Sequence, residues 1–185
     1  NMGSLKVIGL EKAYGIRTLF SNVNFEVMRG DKVGLVGANG TGKTTLMRIL
    51  LGCEENDGGQ VVMDRADTVG YVEQQATFTH DTLYEELRSA FSDLIALRDE
   101  KERMEHAIAA GEAGAEELAA YGNLVTRFEA MDGYDFESRI RRVAFGLGFS
   151  EAELMKDVRH FSGGQTTRIC LAKALLREPD FLFLD

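Results

Sequence analysis

The chain has 185 residues, the length of one domain, and its charged fraction of 28% is that of a water-exposed globular surface. No apolar stretch is long enough to cross a bilayer as a helix, which excludes a helical membrane protein and fits a cytoplasmic one. A formal net charge of −9 excludes a general polyanion binder, because affinity for nucleic acid backbones grows with the phosphates that Lys and Arg neutralise; any RNA contact must be local.

In chain order, Leu5 to Leu10 and Val23 to Met28 read as strands, and Arg29, Gly30 and Asp31 form a turn before a short apolar run, Val33 to Val36, that reads as a third. Next comes GANGTGKTT, residues Gly37, Ala38, Asn39, Gly40, Thr41, Gly42, Lys43, Thr44 and Thr45, which fits the G-x-x-x-x-G-K-[ST] phosphate-binding loop without a mismatch. A helical pattern follows from Lys43 to Leu51 and stops at Gly52, so the loop has its strand before and its helix after. Glycines let successive backbone amides turn toward a β-phosphate, and the helix N-terminus adds partial positive charge. Lys43 is then expected to reach the β/γ-phosphates and the Thr44 hydroxyl to bind Mg²⁺. By itself the motif names a nucleoside triphosphate and no job.

Gly58 and Gly59 lead into an apolar run, Val61 to Met63, and Thr68 to Val72 is another strand candidate. Thr82 and Glu85 form a capping-box pattern that opens a long helical segment, with apolar residues at Leu83, Leu87, Ala90, Leu94, Leu97, Met104 and Ile108. Gly111 and Gly114 interrupt it, and Leu118, Tyr121, Leu124, Phe128 and Met131 resume the spacing, which predicts an antiparallel helical hairpin over about 92–131. FSGGQ lies at Phe161 to Gln165, a helix follows it up to the single proline, Pro179, and FLFLD closes the chain at Phe181 to Asp185. Cys53 and Cys170 are isolated and expected to be buried free thiols, as in a reducing compartment, and the three histidines suggest no metal site.

Taken singly, an apolar run ending in Asp is a strand entering a turn, and a serine before two glycines is a loop. Together, in this order after the phosphate loop, the segments resemble the ATP-binding-cassette (ABC) ATPases. The resemblance implies an α/β P-loop fold with an antiparallel β subdomain, a parallel core and a helical subdomain carrying the inserted hairpin. It casts Ser162, Gly163, Gly164 and Gln165 as the signature that grips ATP bound to a second cassette, and Asp185 as the Walker B carboxylate for Mg²⁺. Tyr14, in AYG before the second strand, resembles the aromatic that stacks on adenine, and Gln74, in GYVEQ, the glutamine that touches Mg²⁺ and the attacking water. Lys43, Gln74 and Asp185 are the expected catalytic set, with ATP and Mg²⁺ as cofactors.

The charged hairpin, together with GYDFESRIRRV at Gly133 to Val143 and GLGF at Gly146 to Phe149, is similar to the first cassette of the ABC-F class, tandem-cassette proteins of which many act on ribosomes. That resemblance implies a second cassette and the ribosome as partners. It divides the chain into a β subdomain with the loop (1–80), a helical subdomain (81–160) and a signature helix with the Walker B strand (161–185). It also implies that the chain is the N-terminal part of a nucleotide-binding domain, since the family's glutamate after Asp185 is not in it. Poor hydrolysis and self-association through unpaired strand edges are the corresponding expectations. The alternatives are the nucleotide-binding subunit of a membrane transporter and a chromosome-maintenance cassette; a GTPase is disfavoured because no N-K-x-D motif occurs. Arg139, Arg141 and Arg142 form the one tight basic cluster, facing either RNA or nearby carboxylates.

Overall fold

The computed structural model describes residues 4–72 and 77–185. Its contacts divide into two units, 1–74 with 178–185 and 75–177.

The first unit begins with two long strands, β1 (Ser4–Tyr14) and β2 (Arg17–Met28), paired antiparallel through a tight turn at Gly15 and Ile16. Gly15 has φ 60°, the positive value that a two-residue hairpin demands at its first central position. Strand β3 (Gly58–Val62) pairs antiparallel with the other edge of β1, giving the order β2-β1-β3. Leu5, Val7 and Leu10 of β1 all point into the core although their spacing changes from two to three. A register shift between Val7 and Leu10 accounts for it: Gly9, at φ 58°, takes up one extra residue and turns Leu10 back inward. Opposite this bulge, a Cβ on Gly59 would lie 2.3 Å from the Gly9 carbonyl oxygen, so the two strands close only because residue 59 has no side chain.

Helix α1 (Lys43–Leu50) covers this sheet with Leu46, Ile49 and Leu50, the i, i+3, i+4 stripe of one buried face. Its C-terminus is a Schellman turn: Cys53 N donates to Arg48 O at 2.8 Å and Gly52 N to Ile49 O at 3.0 Å, with Gly52 left-handed. Strands β4 (Val69–Val72) and β5 (Phe181–Leu184) form a separate parallel pair in register Val69 to Phe181. Phe181 joins the α1 cluster.

Two expectations fail in this unit. Val33 to Val36 forms no strand, and Val36 is 95% exposed. A strand exists by its ladder, and this run belongs to neither of the described sheets. Cys53 is exposed, because the Schellman turn swings the chain out of the helix just where the thiol sits; Cys170 is partly buried.

The second unit is helical: α2 (Leu83–Arg88), α3 (Ser92–Ala109), α4 (Ala115–Ala130), α5 (Phe136–Gly146), α6 (Glu151–Leu154) and α7 (Gly163–Leu176). Thr82 and Glu85 cap α2 reciprocally, as their spacing predicts. The long helix expected from residue 83 is instead broken by a 3-10 turn at Ser89–Phe91. Ser89 Oγ donates to Glu86 O at 2.6 Å, and Phe91 sinks into the core against Phe136, 5.5 Å away between centroids, which bends the chain into α3. Helices α3 and α4 form the hairpin, tied by Tyr121 Oη donating to Glu105 Oε1 at 2.6 Å. Glu117 reaches back to the Gly114 N–H to close the start of α4. The unit's core runs from Leu83 and Leu87 through Phe128, Phe136 and Ile140 to Ile169 and Leu176.

One charged group lies inside it. Glu86 is 1% exposed and accepts from Lys173 Nζ of α7, from the ring and backbone nitrogens of His80, and from Thr79 N. Burial pushes its carboxyl up, but the hydrogen bonds from Lys173 and His80 outweigh that and hold it below the ordinary range.

Candidate functional site

The phosphate loop lies where β1, β2 and α1 converge, in an open cleft of about 490 Å³ lined by Tyr14, Leu19, Asn39, Gly40, Lys43, Thr44, Thr45 and Asp185. Residues 37–42 make the crossing into α1 with Gly42 as the N-cap at φ 99°, and no side chain caps the helix. The amides of that first turn are the donors an anion needs. A Cβ on Gly42 would press on Leu19 at 2.7 Å, and its φ of 99° favours glycine by conformation as well; at Gly37 the demand is contact alone, since a Cβ there would meet Thr41 Oγ1 at 2.8 Å.

Inside the loop the polar groups satisfy one another. Thr41 Oγ1 donates to Ala38 O at 2.7 Å, and the Lys43 ammonium bonds to the carbonyls of Gly37 and Ala38, the latter at 3.1 Å. Arg17 Nη2 meets Gly40 O at 3.4 Å from the β2 side. Lys43 is thus held at the centre of the loop by neutral acceptors, which a phosphate's charged oxygens would outcompete.

Across the cleft, Thr44 Oγ1 donates to Asp185 Oδ2 at 2.9 Å, and the Tyr71 hydroxyl donates to the same oxygen at 3.1 Å. The sequence had assigned Thr44 and Asp185 to one ion although 141 positions separate them; the fold brings them into contact. Tyr71 is a site partner to which the sequence reading gave no role. Its signal lay in β4, where alternation sends Tyr71 to the side opposite Val72, which is buried. Gln74 lies outside the described residues. The donor set suits Mg²⁺: a hydroxyl and a carboxylate in contact leave the remaining positions to water and phosphate oxygens, the usual way this ion is held beside nucleotides. Among the described residues no group of three or more His, Cys, Asp or Glu forms a metal cage.

Tyr14 stands at the end of β1 with its ring half exposed to the cleft. Its hydroxyl bonds to Glu54, and the Lys12 ammonium lies over the ring, 5.1 Å from the centroid.

The four signature residues lie in the second unit, at the start of α7. Ser162 is the N-cap, and it exchanges bonds with Gln165: Ser162 N donates to Gln165 Oε1 at 2.9 Å and Gln165 N to Ser162 Oγ at 3.4 Å. The S-x-x-Q spacing was a capping box readable from sequence, and the structure uses it as one. Gly163 and Gly164 are exposed, and a Cβ on either would meet nothing, so neither glycine is required by its own chain.

The basic cluster resolves toward carboxylates. Arg141 pairs with Glu151 at 3.2 Å and Arg142 with Asp135 at 3.3 Å, while Arg139 lies over the Phe91 ring at 5.0 Å and donates to Leu176 O at 3.4 Å. No helix among the described residues is long and apolar enough to cross a membrane.

The chain is 36% identical over its whole length to the ABC transporter ATP-binding protein YfmM of Bacillus subtilis (strain 168). It is 34% identical over 98% of its length both to the tylosin resistance ATP-binding protein TlrC of Streptomyces fradiae and to ABC transporter F family member 5 of Arabidopsis thaliana. It spans 36%, 34% and 27% of those three proteins, about a third of their length. Solved structures with the same fold include the ATP-binding subunit of an ABC transporter (TM-score 0.66, 22% identity, 66% of that chain) and a bacterial Atm1-family ABC exporter with ATP bound (0.64, 19%, 29%), each over the whole of this chain. The family model described as ABC transporter matches residues 20–185, and the chain therefore belongs to the ABC transporter ATPase-domain family, with that family's α/β P-loop fold.

Proposed function

We propose that this cassette binds ATP with Mg²⁺ and belongs to an ABC-F type cytoplasmic protein, in which a second cassette completes the nucleotide site and the assembly acts on the ribosome. The observation that carries the nucleotide part is the contact between Thr44 and Asp185 at 2.9 Å, beside Lys43 and in the cleft that Tyr14 overlooks. It supports a role for both oxygens in holding Mg²⁺ against the phosphates. Lys43 then neutralises phosphate charge, the first-turn amides of α1 orient it, and Tyr71 holds the Asp185 carboxylate toward Thr44. Mg²⁺, when bound, would be held by Thr44 and Asp185 and would supply charge neutralisation to the triphosphate. Gln74 is assigned, by its motif, to sensing the ion and water.

The ABC-F part is supported by relatives that match along nearly the entire chain, the hairpin included, and whose names place them in the F family or in resistance to tylosin. In this reading Ser162 to Gln165 face ATP on the opposite cassette. Their capping bonds leave Gly163 and Gly164 bare, as a backbone that must approach a phosphate closely should be. The test is co-sedimentation of the protein carrying this cassette with ribosomes, in a non-hydrolysable ATP analogue and in ADP. Retention with the analogue and release with ADP is the expected result. Indifference to nucleotide, or recovery in the membrane fraction instead, would defeat the ribosome reading and favour a transporter subunit.

A further inference from the structure

The end of β1 is latched to the segment that α1 releases at its Schellman turn. Ala13 N donates to Asp57 Oδ2 at 2.7 Å, and Asp57 N donates back to Glu11 O at 2.9 Å. Between these, Lys12 Nζ donates to Glu55 O at 2.7 Å and pairs with Glu54 at 3.3 Å, while Arg48 from the last turn of α1 stands 3.5 Å from the other Glu54 oxygen. The Tyr14 hydroxyl closes the cluster on Glu54. We infer that Glu54, with Lys12, is a positioning residue for the nucleotide's base: it fixes the Tyr14 ring as a ready platform, and Lys12 covers one face so that a base stacks on the other. The inference rests on the proposed ATP site and on Tyr14 as its base platform.

The chemistry follows from the groups involved. The bond from Tyr14, backed by Lys12 and Arg48, holds the Glu54 carboxyl below its ordinary range against the opposing effect of burial. An ionised carboxylate only accepts, so the phenol must donate, and its oxygen is fixed in place. A half-exposed tyrosine would otherwise sample several rotamers, and ordering it at the moment of binding would weaken affinity. The ammonium over the ring adds a cation–π contact that holds the same orientation. None of these groups touches the phosphate loop in the contacts described, so the effect should be felt through the base and not through the phosphates.

That separation gives the experiment: calorimetric titration of the chain with Mg-ATP and with Mg-tripolyphosphate, which carries the phosphates without the base. Variants are Glu54→Ala, Glu54→Gln, Tyr14→Ala and the Tyr14→Ala/Glu54→Ala pair. Stacking of a base on an aromatic corresponds to about tenfold or more in affinity, so Tyr14→Ala should weaken ATP by about that factor and Glu54→Ala by a few-fold. Tripolyphosphate affinity should stay within about twofold for both, Glu54→Gln should recover part of the loss, and the double variant should bind ATP no more weakly than Tyr14→Ala alone. Glu54→Ala that binds ATP like the parent while Tyr14→Ala weakens it would overturn the inference, as would equal losses for ATP and tripolyphosphate, which would mark a structural residue. ATP affinity unmoved by Tyr14→Ala would overturn the platform reading itself, and no ATP binding by the unaltered chain would overturn the proposed function.

Discussion

At the scale of single residues, the site and the buried ion pair make different demands on charge. Lys43 sits on neutral carbonyls, so Lys43→Ala should leave the fold nearly as stable while removing a charged contact to phosphate. Such bonds contribute about 1.5–3 kcal/mol, so ATP affinity should fall by about 10- to 100-fold in a calorimetric titration, with melting unchanged. Glu86 behaves in the opposite way. Lys173→Met would leave its carboxylate buried without its main partner, costing about 2–3 kcal/mol, somewhat below the usual value for a broken buried pair because Lys173 is a quarter exposed. The pH dependence follows from the depressed carboxyl. A folded-state value below the unfolded one means the stabilisation is complete above about pH 4.3 and is lost as pH falls through the lower folded value. Urea denaturation should therefore show the parent's advantage over Glu86→Gln at pH 7 shrinking below about pH 4. An advantage that grew on acidification would rule out this origin.

At the scale of elements, what was legible in the sequence depended on whether the signal was local. The phosphate loop, the capping box at Thr82 and Glu85, the stop at Gly52 and the hairpin at Gly111 to Gly114 were legible because each is settled within a few residues. The Ser150 to Glu153 box that opens α6 was equally local and went unread; Ser150→Ala should lower stability by about 1 kcal/mol. Non-local determinants were legible only where two recognised motifs carried them, as for Thr44 and Asp185; elsewhere they were not. The break at Phe91 depends on Phe136, 45 positions on, and the register of β1 on a bulge facing Gly59. The contacts of Tyr71 and Glu54 are likewise made by folding and leave no spacing in the chain. The Gly59 contact yields a sharp expectation. Alanine there would combine a positive φ of 76° with a Cβ driven onto backbone, where nothing flexible can yield. Gly59→Ala should cost on the order of 1–3 kcal/mol or abolish folding, whereas Gly163→Ala, with nothing within 4 Å, should be tolerated by the chain itself.

At the scale of the whole molecule, a chain of net charge −9 still exposes one continuous apolar run, Val33 to Val36, whose backbone has no described ladder partner. Val33 is 63% and Leu35 43% exposed, with Val36 more so. A β-branched segment with free amides and carbonyls is a template for pairing with another strand, and net repulsion between acidic copies is screened beyond about 8 Å at physiological salt. The 185-residue chain is therefore expected to self-associate, and more so as salt rises, since screening weakens the repulsion while the apolar attraction persists. Light scattering after size exclusion should give a mass above 20.5 kDa at tens of micromolar protein, roughly the range of weak association. Replacing Val33 and Val36 by lysine should return it to the monomer mass without touching the residues that line the cleft. A parent that is monomeric at every salt concentration would mean that the run finds cover within its own chain, and the lysine pair would then lower stability instead of changing mass.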